Sequence, residues 1–238
     1  MKALFLLVIL LASNYTHADA SSLAQRQSAL YPYSSALEIQ DDFMYGINST
    51  GNVGTGWGFA GGTGIWINAE PNRPGLFRRA SGVVINTVTR LDWETVISAV
   101  FDPAAPHALM LAVRMVQTDA DTSMRLGSMS GSAGNPPIDA IYLEKLGPDT
   151  NWFCVTRSGG VQTRTDSGIA VDTNFHEFGY IRNSSGVQFV VDRVNVCGVH
   201  TTNIPTNGLG VALQLINLVG VSKSYDIDYA QLRMSLAR

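Results

Sequence analysis

The sequence predicts an all-β fold, an antiparallel two-sheet sandwich or jelly roll, and three observations carry that prediction. Short apolar or alternating runs recur along the chain, separated by clusters of Gly, Pro, Asn, Asp and Ser. Glycine accounts for 23 of 238 residues, and Thr, Ser, Val and Asn are abundant, which suits short strands joined by tight turns. Long helix-forming stretches are missing, so nothing supplies the crossover helices of a βαβ fold.

The elements are taken in chain order. Residues 1–20 read as an export signal: Met1-Lys2 is a short positive start, Ala3–Ala12 is unbroken apolar chain, and Ala18-Asp19-Ala20 is the small-x-small pattern that signal peptidase accepts. Ten apolar residues are half of what a spanning helix needs, and no later segment comes closer, so no membrane anchor is expected after cleavage. Residues 21–36 are a polar leader. Strands are then expected at Leu37–Phe43, Trp57–Phe59, Gly64–Asn68, Gly75–Ala80, Val83–Thr89, Trp93–Phe101 and Leu109–Val116. They continue at Ser123–Ser128, Ala140–Leu146, Trp152–Ser158, Val161–Asp166, His176–Asn183, Gln188–Asp192, Val194–His200, Val211–Leu218 and Ser224–Met234. Ala108–Val116 favours helix by propensity, but its neighbours are all extended and it is read as strand. Tight hairpins are expected at Gly159-Gly160 and at Asp192-Arg193. No linker divides residues 37–238, which are read as one domain.

Charge and cysteine content bound the partners. Sixteen Lys+Arg against 19 Asp+Glu leave a net charge of −3, without the basic footprint a nucleic-acid binder needs to release counterions. Export places the chain outside the cytoplasm, in the medium or the periplasm, where the only two cysteines, Cys154 and Cys197, can pair as one disulfide; two separately buried thiols are the alternative.

Several motifs together resemble the concanavalin A-like (laminin-G-like) sandwich modules of phage tail or virion proteins and bacterial surface proteins. They are Asp41-Asp42-Phe43, Gly56-Trp57-Gly58-Phe59, Arg73-Pro74-Gly75, Thr118–Thr122, Ile141–Gly147, Asn151-Trp152-Phe153, Arg157–Gly160, Thr163–Asp166, His200–Pro205 and Asp226–Tyr229. The resemblance covers roughly residues 37–236 and implies two facing antiparallel sheets and glycan or surface binding. It supplies no catalytic residue.

Each constellation that could carry chemistry has a plainer rival. Asp92 and Glu94 alternate on one strand, as glycan-cleaving acids would, but the glucanases of this fold carry a third acid in the same row, and here it is missing; solvated acids are the better account. Asp226 and Asp228 alternate on the last strand and Asp41 lies on the first. If those strands are neighbours, the three could hold a structural Ca²⁺, with the Asp119/Asp121 loop as a rival site. No other cofactor is indicated. His176 and His200 read as structural histidines. For ligand binding the candidates are Trp57, Trp66, Trp152 and Tyr142, flanked by Lys145 and Arg157, as a platform for sugar faces; against this stands the use of large aromatics as sandwich core. The expected function is an exported, non-catalytic module binding a glycan or surface polysaccharide. A structural subunit of a virion or extracellular appendage, working through protein contacts, is the alternative, and a glycan-active hydrolase or lyase is third.

Overall fold

The computed structural model describes residues 36–41, 57–67, 70–71, 73, 75–92, 101–130 and 135–235. The expected signal segment and leader, and the expected strand residues Trp93–Val100 with Glu94, lie outside the described residues. Fifteen strands are seen among them. The first seven are β1 (Ala36–Asp41), β2 (Gly58–Ala60), β3 (Thr63–Ile67), β4 (Leu76–Ala80), β5 (Val88–Asp92), β6 (His107–Met115) and β7 (Thr122–Met129). Then come β8 (Ala140–Lys145), β9 (Asn151–Ser158), β10 (Val161–Ala170) and β11 (His176–Asn183). The last are β12 (Gly186–Val191), β13 (Val194–His200), β14 (Gly210–Asn217) and β15 (Ser224–Ser235).

They form two sheets. One runs β13-β12-β11-β6-β15-β4-β3 with β1 also on β15, and the other runs β10-β9-β8-β7-β14-β5-β2. This is the expected two-sheet antiparallel sandwich. The segment that propensity would make helical, β6, is a strand pairing β11 and β15 on its two sides. Cross-strand burial of Leu109, Leu111 and Val113 decides the matter over intrinsic preference.

The period of two puts one row of each strand between the sheets. Leu91, Met124, Leu126, Ile141, Leu143, Leu213 and Leu215 from one sheet meet Phe77, Leu109, Leu111, Phe178, Tyr180, Phe189, Tyr225 and Ile227 from the other. Both predicted hairpins are present. Gly159 and Gly160 have φ of 56° and 85°, and Asp192 and Arg193 of 49° and 69°, the paired positive φ values of a two-residue turn that matches strand twist.

One expected strand is corrected. The Val83–Thr89 run is extended only from Val88, because Gly82 (φ 71°) and Asn86 (φ 61°) bend the chain on either side of Val83, Val84 and Ile85. Three consecutive apolar residues without alternation look like strand but have no partner row to join.

At the β10/β13 edge the two sheets are joined covalently by Cys154–Cys197, with Cα atoms 6.3 Å apart. Cys154 faces inward from β9. Cys197 follows the inward-facing Val196, so a regular strand would turn it away from the core. An irregularity in the β12/β13 register and φ of 64° at Cys197 turn its sulfur inward instead.

His107 is fully buried, its Nδ1 2.7 Å from the Ala105 carbonyl and its Nε2 3.2 Å from the Tyr180 hydroxyl. Burial pushes its pKa down from 6.5 to about 4. The unfolded chain therefore takes up the proton first as pH falls, so this site's contribution is complete above about pH 6.5 and is lost towards pH 4. Urea midpoints are expected to fall over that window by the equivalent of about 3 kcal/mol, and His107→Phe should flatten the profile. Separately, replacing Cys154 and Cys197 together by Ala should cost about 2–4 kcal/mol, because the bond closes a loop of 43 residues in the unfolded chain. Equal urea midpoints for the double variant and the oxidised wild type would refute this.

Candidate functional site

The outer face of the seven-stranded sheet gathers side chains that the sequence scatters over six strands. Strand pairing sets Arg90, Gln214, Arg125, Glu144, Phe153 and Asp166 in one row across β5, β14, β7, β8, β9 and β10. The next row holds Asp92, Ala212, Gly127, Tyr142, Val155 and Arg164, and beyond it lie Met129, Ala140, Arg157 and Gln162. Met129, Ala140, Tyr142, Val155 and Ala212 form an apolar cluster of their own on this side, apart from the inter-sheet core. Gly127 is required there: a Cβ would stand 2.2 Å from the Ile141 carbonyl and 2.7 Å from the Tyr142 Cα.

Around that cluster the charges are paired. Glu144, almost fully buried, accepts from Arg125 Nε at 3.1 Å and from Arg164 Nε at 2.8 Å. Arg164 also bonds Asp149 and lies 3.4 Å over the Phe153 ring. Arg90 Nε stands 3.1 Å from Asp92 Oδ2, both buried. Burial, reinforced by the Glu144 charge, pushes the Tyr142 phenol up to about 12, so it stays protonated at any physiological pH. The accessible part of the face is the β9/β10 side, where Phe153, Arg157 and Arg164 are half-buried and Gln162 is exposed. Arg157 Nη1 donates to Gln162 Oε1 at 2.7 Å.

The predicted ligand platform is not assembled. Trp57 and Trp152 are buried in the inter-sheet core; Trp57 Nε1 donates to Asp41 Oδ2 at 3.0 Å, and the Trp152 ring packs tilted against Phe178 with centroids 4.5 Å apart. Trp66 sits on β3 opposite Phe77, and its side chain lies outside the described residues. Tyr142 is on the outer face but buried. Lys145 is buried as well: its Nζ donates to the carbonyls of Asp119, Thr122 and Gly147 at 2.5–2.7 Å. Burial lowers its pKa against the pull of Asp119 and Asp149. Among the described side chains of this set, only Arg157 stands on accessible sheet surface.

The acids expected to hold a cation are held by other groups. Asp226 accepts from Arg78 at 2.6 and 2.8 Å and from Arg114 at 2.7 Å, Asp228 accepts from Arg73, and Asp41 serves Trp57. Guanidinium groups supply the positive charge on which a calcium reading would rely. The rival loop is filled likewise: Lys145 occupies its carbonyls, and Lys223 Nζ sits 2.6 Å from Asp119 Oδ2. Among the described residues no group of three or more His, Cys, Asp or Glu converges as metal ligands would. Asp92, expected as a solvated acid, is buried beside Arg90, and Trp93 and Glu94 lie outside the described residues.

His200 and His176 are each held by two side-chain partners. Both ring nitrogens of His200 face threonine hydroxyls, Thr156 at 3.2 Å and Thr165 at 3.0 Å, and burial lowers its pKa. His176 bridges Asp192 at 2.6 Å and Asp172 at 3.0 Å; burial acts to lower its pKa, but the two carboxylates outweigh it and raise it.

Sequence reasoning missed Arg125, Glu144, Phe153, Gln162 and Arg164. Their signal was alternation: Tyr142-x-Glu144, Phe153-x-Val155-x-Arg157 and Gln162-x-Arg164-x-Asp166 each line one side of a strand. What alternation does not show is that the three sides are the same side of one sheet.

No family model matches the chain, and no curated protein matches it in sequence. Solved structures do match in shape. A protein of unknown function from Shewanella oneidensis MR-1 superposes with a TM-score of 0.64 at 15% identity, over 87% of this chain and 90% of that one. The Bacillus licheniformis β-glucanase gives 0.55 at 14%, over 84% and 98%. The carbohydrate recognition domain of Emp47p gives 0.56 at 12%, over 85% and 96%. At these identities the likeness is one of fold, and that fold is the concanavalin A-like sandwich.

Replacing Glu144 by Ala would leave Arg125, whose side chain is 5% exposed, without its carboxylate. A cost of about 3–5 kcal/mol is expected in urea unfolding, because an uncompensated buried cation remains. Glu144→Gln should cost less, since the amide oxygen still accepts. A Glu144→Ala variant as stable as wild type would show that the pairing contributes nothing net.

Proposed function

We propose that this concanavalin A-like sandwich is an exported, non-catalytic module that binds a glycan on the outer face of its seven-stranded sheet, at the β9/β10 side. The observation that carries the reading is the Phe153 ring with the Arg164 guanidinium stacked 3.4 Å from its centre, beside the Arg157–Gln162 pair. A sugar ring offers an apolar CH face and a rim of hydroxyls. The planar Arg164 guanidinium, backed by the Phe153 ring and flanked by the Arg157–Gln162 pair, offers a flat stacking face and N–H donors that complement both. The β-glucanase and the carbohydrate recognition domain that share the fold support a glycan as the ligand class.

The charge pairing supports binding over cleavage. Retaining hydrolysis needs a nucleophile and a proton donor about 5–5.5 Å apart. Of the described carboxylates in these rows, Asp92 is taken by Arg90 and Glu144 by Arg125 and Arg164, while the exposed Asp166 accepts from the Asn151 amide and Gly168 N. The two buried acids are not free to approach a substrate, which leaves Asp166 without a second free carboxylate in these rows.

Glycan-array screening of the chain should give a sugar-specific signal, and Phe153→Ala should weaken it roughly tenfold with little change in Tm, since the ring is only half-buried. Release of reducing ends from a polysaccharide would overturn the non-catalytic reading. Silence on the array together with self-assembly in solution would assign the chain to a structural role instead.

A further inference from the structure

We propose that the chain docks reversibly on an uncharged lipid surface through a knob of aliphatic side chains at one end of the sandwich. Two turns build it, residues 81–87 between β4 and β5 and residues 218–223 between β14 and β15. Their tips expose Val83 (66%), Val84 (66%), Ile85 (56%), Leu218 (37%) and Val221 (62%). From Ser81 to Thr87 and from Asn217 to Ser222 there is no charged residue.

The turns are tied to each other rather than left to water. Ser81 N donates to the Lys223 carbonyl at 2.8 Å, and Asn86 N to the Asn217 carbonyl at 2.7 Å. Asn217 Nδ2 donates to the Gly82 carbonyl at 3.0 Å, and its Oδ1 accepts from Val219 N at 2.9 Å. Lys223 N reaches Ser81 Oγ at 3.0 Å. Backbone groups entering an apolar phase must find partners within the protein, and these turns supply several of their own.

Size and shape select lipid over a protein partner. Five such side chains expose on the order of 400 Å² of apolar surface, about half of the roughly 800 Å² per partner that a stable protein interface buries. A convex tip also needs a matching hollow in a protein, whereas a bilayer closes around any shape. The charge nearby selects the kind of lipid. The Asp121 carbonyl accepts from Leu218 N at 2.9 Å, so the exposed Asp121 borders the knob and repels anionic headgroups, while Asp119 beside it is paired with Lys223.

Flotation with phosphatidylcholine vesicles tests this, using the chain from Ser21 so that the apolar Met1–Ala20 segment cannot contribute. The protein is expected to float, with binding insensitive to added salt and weakened by phosphatidylserine. Val84→Asp combined with Val221→Asp should cut the bound fraction roughly tenfold at unchanged circular dichroism. Should that pair disturb folding, Ile85→Ser carries the same comparison. The proposal is overturned if the wild type stays with the unbound protein, if binding needs phosphatidylserine and is removed by salt, or if well-folded variants float like wild type. Dimerisation in solution that Val84→Asp abolishes would overturn it too, and would assign the knob to a second copy of the chain.

Discussion

Both faces of the seven-stranded sheet are buried along its middle strands, and much else in the molecule follows from that constraint. Every residue of β7, β8 and β14 is buried, inward and outward rows alike. A sheet with one face in water can place charged side chains there at little cost, but a doubly covered sheet must provide a partner for each. The outer row meets this demand by strand register. Arg125 lies directly opposite Glu144, and Arg164, two strands further out on β10, reaches the other oxygen of the same carboxylate. Gly127 gives up its side chain so that β8 can approach. The candidate binding surface is what remains at the margin, where β9 and β10 come out of cover and Phe153, Arg157 and Gln162 reach solvent.

The opposite outer face solves a related problem by charge alone. Asp226 bonds Arg78 and Arg114, Arg114 reaches on to Glu70, Asp228 bonds Arg73, and Arg193 bonds Glu177. Phe175 sits between Arg73 and Arg114, whose guanidinium carbons lie 4.0 and 4.6 Å from its ring centre. The partly exposed Arg73–Asp228 and Arg193–Glu177 pairs contribute little stability each, whereas Asp226 is fully buried between two guanidinium groups. These pairs lock the acids that alternation had offered as metal ligands. Lys145 makes the same point inside the fold: three carbonyls that converge as around a cation converge on its ammonium. This chain places side-chain cations where oxygen ligands gather.

The sequence by itself determined the class of fold, because side chains alternate with a period of two and turns demand particular residues; both are local physics. Alternation placed β11 and β13 at their observed bounds, and the glycine pair and Asp192-Arg193 marked two hairpins. Tertiary structure decided three things that local physics does not reach. It decided which aromatics serve the core, since Trp57 and Trp152 have the composition of a binding platform and the position of packing residues. It turned Cys197 towards Cys154 through an irregular register that no alternation pattern encodes. It also collected Arg125, Glu144, Phe153 and Arg164 on one face. Those residues lie on four strands separated by up to 39 positions in sequence, and only non-local strand pairing brings them within hydrogen-bonding reach.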